Sequence, residues 1–213
     1  MPNMCRAGLN ADRYNVTIID MDYKIVISII GVILSFVGYG IYVRDILAKR
    51  TVPHTFTFLI WSIASSITWA LQVYGGAGVG AWITLAVALI CIFIFFLSLK
   101  YGEKKITKLD IIFLATSFIA LGLWLIVKQP AWSIILLVAS DVSGFGPTIR
   151  KSWNNPHKES LFTWELTAFR HFITIFALER FNILTLLYPI TWVFVNAAFS
   201  IVLIVRRRQI KKA

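Results

Sequence analysis

A chain of 213 residues that is 58% hydrophobic and 15% charged, with mean hydropathy +0.77, has too little polar surface for a soluble domain of its size. Its formal net charge of +11 would suit a nucleic-acid binder. The basic residues, however, stand in short clusters between apolar runs, which is a membrane-topology signal and removes nucleic acid from the expected partners.

Residues 1–22 are polar and mixed in charge, with no apolar core between Arg6 and Asp22, so they do not form a cleavable signal peptide. They are read as an extracytoplasmic tail, disordered or upstream of a start at Met21. Seven apolar runs follow: Tyr23 to Val43, Phe56 to Tyr74, Ala81 to Leu99, Leu109 to Val127, Ala131 to Thr148, Leu161 to Leu178 and Ile183 to Val205. Each is near the roughly 20 residues that cross a hydrocarbon core. The expected fold is an all-α integral membrane protein with seven transmembrane helices.

The basic residues set its orientation. With the N-terminus outside, the cytoplasmic segments hold Arg44, Lys49 and Arg50, then Lys100, Lys104, Lys105 and Lys108. Farther on they hold Arg150, Lys151 and Lys158, and a basic tail at 206–213. The opposite side holds only Arg6, Arg13, Lys24, Lys128 and Arg180, a bias that puts the C-terminus in the cytoplasm.

The stretch Asp141 to Thr167 ends one apolar run with Gly144, Gly146 and Pro147, passes through Arg150 and Lys151, and opens the next helix at Ser160, a capping residue. Sliding it back until Arg150 falls on Arg44 also places Gly144, Gly146, Phe162, Thr163, Ile173 and Thr174 on Gly38, Gly40, Phe56, Thr57, Ile67 and Thr68. This is an internal repeat in one orientation. It predicts a 3+1+3 parallel-repeat arrangement: residues 23–99 and 131–205 as three-helix units, with 109–127 as the inversion linker. A three-helix unit repeats in parallel only if one further crossing returns the chain to the starting side.

These segments, Gly146-Pro147-Thr148-Ile149-Arg150 and Gly40-Ile41-Tyr42-Val43-Arg44, resemble the signature of the SWEET and PQ-loop superfamily at the cytoplasmic end of the first helix of each repeat. The first copy has Ile41 where the second has Pro147. The wording from Pro147 to Ser160 resembles an uncharacterised bacterial branch, which implies a SWEET-like carrier in a bacterial inner (plasma) membrane. Trp69 resembles the tryptophan that sugar-transporting members place in the second helix, with Ile175 at the matching place in the other repeat. Asn196 is the one candidate for the family's helix-seven asparagine, and helix three has none.

Charges within a bilayer are costly, at about 2.5 to 3.5 kcal/mol on insertion scales, and call for a partner or a cavity. Asp141 and Arg170 lie on consecutive antiparallel helices and are expected to pair, either along a translocation path or as a structural link. Thr163, Thr167, Arg170 and Thr174 share one face of helix six, answered by Thr57, Trp61, Ala64 and Thr68 on helix two. These faces suit either a central cavity or threonine glue between helices. Helix seven adds Trp192 and Asn196 as ligand contacts, with Tyr188 and Trp192 alternatively read as interfacial aromatics. The candidate binding residues are therefore Thr68, Trp69, Asp141, Thr167, Arg170, Thr174, Trp192 and Asn196. The candidate gating residues are Gly38, Gly40, Gly144, Gly146 and Pro147.

His171 points about 100° from Arg170 on the helix and reads as packed, His54 and His157 as solvated loop residues. With two cysteines, Cys5 and the apolar-run residue Cys91, no metal, disulfide framework or cofactor is expected. The chain lacks a Ser/His/Asp order, a phosphate loop and a paired carboxylate, so it is not read as an enzyme. Helix seven lacks a retinal lysine. The expected function is a carrier moving a small polar solute, a sugar among the options, by alternating access through the lipid bilayer. The alternative is a non-transporting sensor or scaffold of the same fold, and a homo-oligomer stays open.

Overall fold

The computed structural model describes residues 3–49, 53, 55–102, 108–144, 149, 152–153, 156–158 and 161–210. Each apolar run forms a helix: α1 Asn3–Leu47, α2 Thr55–Tyr74, α3 Ala81–Tyr101, α4 Lys108–Leu125, α5 Pro130–Gly144, α6 Leu161–Ala177 and α7 Ile183–Gln209. No strand occurs among the described residues. Helix α1 begins well before its apolar run, so the polar stretch from Asn3 onward is helical. Among the described residues, four segments are long and apolar enough to cross a membrane: Tyr23–Leu47, Thr55–Tyr74, Gly78–Tyr101 and Ile183–Gln209. Ile111–Leu125 and Pro130–Val142 are apolar but shorter. The outer surface carries large apolar side chains in numbers that water would not tolerate, among them Phe96 at 62% and Phe194 at 69% exposure. The fold therefore fits a membrane-embedded helical protein.

Packing does not follow chain order. Helix α3 packs against both α1 and α2, and α7 against both α5 and α6. Helix α1 meets α6, while α4 lies on α5 and α2. Gly31 permits the close approach of α1 to α3, because a Cβ there would stand 2.5 Å from Ile83 Cδ1. One apolar core joins α2, α4, α5 and α7 through Ala64, Ile67, Leu71, Ala120, Ile134, Leu137, Val138 and Leu184. A second joins α1, α2 and α3 through Ile46, Phe58, Ile90 and Ile94. Ser133 Oγ donates to Ala120 O at 2.6 Å and ties α5 to α4.

The helix ends follow local chemistry. After α2, Ala77 N–H donates to Gln72 O and Gly76 N–H to Val73 O, a double closure that needs a left-handed residue, supplied by Gly76 at φ +80°. Helix α7 starts on a capping box: Asn182 Oδ1 accepts from Leu184 N–H, and Thr185 Oγ1 accepts from Asn182 N–H. At its other end the basic last turn holds the loop before α6. Arg206 Nε donates to Trp153 O at 3.0 Å and its guanidinium lies over the Trp153 ring, while Arg207 Nε donates to Pro156 O. His157, expected to be a free loop residue, donates through Nε2 to Ile210 O at 2.8 Å.

Candidate functional site

Helix α6 supplies the centre of the site. Among its buried residues are Arg170, His171, Thr174 and Ala177, so its inner face is the arc that meets α1 and α7. Arg170 is 7% exposed. Its Nη1 donates to Ser35 Oγ on α1 at 3.3 Å, and its Nη2 to His171 Nε2 at 3.1 Å. Arginine has only donors, so Nε2 of His171 accepts and the imidazole proton sits on Nδ1. Ser35 in turn donates to Gly31 O, and Thr174 Oγ1 to Arg170 O.

Around this pair lies a cavity lined by Gln72, Ile83, Thr84, Val87, Arg170, His171, Thr174, Tyr188 and Pro189. It encloses about 10 Å³, the space of roughly one water. Tyr188 meets His171 edge-on at 5.7 Å, and Trp192 stacks on it at 6.3 Å and 21°. Pro189 lacks an N–H, so the α7 ladder is one bond short at the cavity wall. Nearby on α3, Cys91 is buried at 1% exposure.

Several deeply buried polar atoms have no hydrogen-bond partner among the described residues: Thr68 Oγ1, both amide atoms of Gln72, Asn196 Oδ1 and Ser200 Oγ. Thr68 and Gln72 are one turn apart on α2, as are Asn196 and Ser200 on α7. Each such atom costs about 1–3 kcal/mol in a folded interior. A pure packing role does not explain five of them on four residues together.

The site departs from the sequence expectations at several places. Asp141 and Arg170 form no ion pair, because α7 packs between α5 and α6 and consecutive helices are not neighbours there. His171 faces the same cavity as Arg170, since the buried arc of α6 is wide enough to include both. Thr174 lines the cavity, whereas Thr167 is only part-buried and donates to Thr163 O within its own helix. Trp69 packs on Ala77, Ala81 and Leu178. Asn196 is fully buried and donates through Nδ2 to Trp192 O at 2.5 Å. Gly38 and Gly40 sit inside uninterrupted α1 with open space around them, and Gly144 is the last residue of α5. Gly146, Pro147, Arg150, His54 and Ser160 lie outside the described residues. Gln72, Ser35, Thr84, Tyr188 as a cavity residue, and Pro189 are site members that the sequence reading did not single out.

One end of the bundle is closed over this cavity by two loops. Glu179 N–H donates to Ala77 O at 3.1 Å, and Val79 N–H to Glu179 Oε1 at 3.2 Å. Asn182 Nδ2 donates to Gly75 O at 2.7 Å, and Ser28 Oγ donates to Val79 O. Gln72 and Thr84 lie just beneath this seam.

No protein-family model, curated protein or solved structure matches the chain. Fold and site together define an all-helical protein fitted to a membrane, with a small cavity beside a buried arginine.

Proposed function

We propose that the chain is a SWEET-like membrane carrier that moves a small polar solute by alternating access between two three-helix units, α1–α3 and α5–α7, with α4 as the linking crossing. The observation that carries this reading is the small cavity beside Arg170, walled by α2 and α3 on one side and α6 and α7 on the other. A site between two helix units, at the depth of the bilayer, is where such a mechanism places its solute.

The packing supports the two-unit reading. Helix α3 lies between α1 and α2 as α7 lies between α5 and α6, and α1 meets α6 as α5 meets α2. The shift that overlays Arg150 on Arg44 also carries Ala64, Ser65, Thr68 and Leu71 onto Arg170, His171, Thr174 and Ala177, and all eight are buried. The same shift carries Ser35 onto Asp141, so the residue that holds Arg170 in one unit corresponds to the acid in the other. With the N-terminus outside and the C-terminus cytoplasmic, the docked α2–α3 and α6–α7 loops form a closed outer gate. Solute then leaves towards the cytoplasm.

Purified protein reconstituted into liposomes tests the reading through uptake of labelled sugars, amino acids and small acids. Uptake above protein-free vesicles is expected for at least one class. Binding without uptake of any class would make the chain a sensor or scaffold instead.

A further inference from the structure

We infer that the solute is a small monocarboxylate whose carboxylate group is held by Arg170, an assignment that rests on the carrier reading above. Arg170 is 7% exposed, yet no carboxylate stands within 4.0 Å of it among the described residues. Its partners there are the neutral groups Ser35 Oγ and His171 Nε2. A guanidinium carries five N–H donors, so most of its donating capacity is unspent. A cation in an apolar interior is costly without a counter-charge, and Asp141 does not supply one.

Independently, Gln72 is 0% exposed, lines the same cavity and has no partner for either amide atom. Its amide offers two N–H donors and a carbonyl acceptor to whatever enters. The planar guanidinium fork matches the two oxygens of a carboxylate. Because His171 accepts from Arg170 and is neutral, the site holds one positive charge, which matches a monoanion better than a phosphate dianion. Ile83, Val87 and Pro189 give the cavity an apolar wall suited to a short carbon chain. The space present, about 10 Å³, holds one water, so a carboxylate enters only as the helices around Arg170 part.

The test uses the full chain in detergent and in liposomes. Acetate, lactate and pyruvate are the carboxylate probes, with glycerol as a neutral molecule of similar size and inorganic phosphate as a second anion. At least one carboxylate is expected to bind, read by tryptophan fluorescence through Trp192 and by calorimetry, with glycerol and phosphate at least tenfold weaker. Arg170→Gln is expected to weaken that binding at least tenfold, and Arg170→Lys less. Should Arg170→Gln fail to fold, Gln72→Leu serves in its place, since it adds no unmet polar group, and a several-fold loss is expected. Carboxylates that bind no better than glycerol overturn the inference, as does carboxylate binding that neither substitution alters. Uptake of a labelled sugar with no carboxylate binding sinks the carboxylate assignment and leaves the carrier standing. Arg170-dependent carboxylate binding with no uptake does the reverse.

Discussion

Ser35 and Arg170, 135 residues apart in the chain, meet at 3.3 Å and link α1 to α6 in the protein interior. Ser35→Ala leaves a buried charged donor short of an acceptor and is expected to cost about 1–3 kcal/mol. Arg170→Met removes the charge and keeps much of the side chain, so it is expected to be near neutral or stabilising. The double variant Ser35→Ala with Arg170→Met should then lose no more than Arg170→Met alone. Thermal unfolding of the four proteins in one detergent measures the coupling, and strict additivity would deny the link any energetic role.

Gln72 gives the sharpest separation of stability from function. Replacing its unpartnered amide by leucine is expected to raise stability by about 1 kcal/mol, because a desolvated polar group is removed and nothing is left unpaired. Solute binding should fall in the same variant. A Gln72→Leu protein that unfolds earlier than the parent would mean that the amide has a protein partner.

The seam between the loops predicts a second kind of change. Asn182→Ala removes both the α7 cap and the bond to Gly75 O, at an expected cost of about 1–2 kcal/mol. Glu179→Ala removes only the acceptor for Val79 N–H and should loosen the closed end with a smaller loss of stability. Hydrogen exchange at residues 75–80 reports this directly, and unchanged protection in both variants would mean the loops are not a gate.

Glycines in different settings should respond with opposite sign. Gly76, at φ +80° and close to Arg180 Cδ, is expected to lose about 1–2 kcal/mol on substitution by alanine. Gly38 is helical with nothing near an added Cβ, so Gly38→Ala is expected to gain about 0.5–1 kcal/mol. If α1 bends at Gly38 during transport, the same substitution also slows uptake, which a transport assay on the stabilised variant would measure.

Topology can be read with reporter fusions at Lys104 and Arg208, which the proposed orientation expects together in the cytoplasm. Reporters on opposite sides of the bilayer would end the two-unit arrangement.

The helices were legible because seven apolar runs, each of near-spanning length, leave few other choices. Arg170 and Thr174 stood out for a related reason, since a charge within an apolar run must be accommodated. What the sequence hid was adjacency. Asp141 and Arg170 are on consecutive helices, and only three-dimensional packing puts α7 between those helices and Ser35 beside the guanidinium. His171 was misplaced because a helix held by two neighbours buries a broad arc, so a 100° offset does not take a side chain out of the interior. Gln72 stayed hidden near Tyr74 and Gly75, where a polar residue reads as an ordinary helix end.

Cys91, 1% exposed on α3, equips the molecule with a native chemical reporter. In a Cys5→Ser background it is the sole thiol, and a mercurial reaches it only when α1 and α3 separate. The rate of that mercuration therefore counts opening events in an interior left unsubstituted, and any solute that locks the cavity should slow that clock.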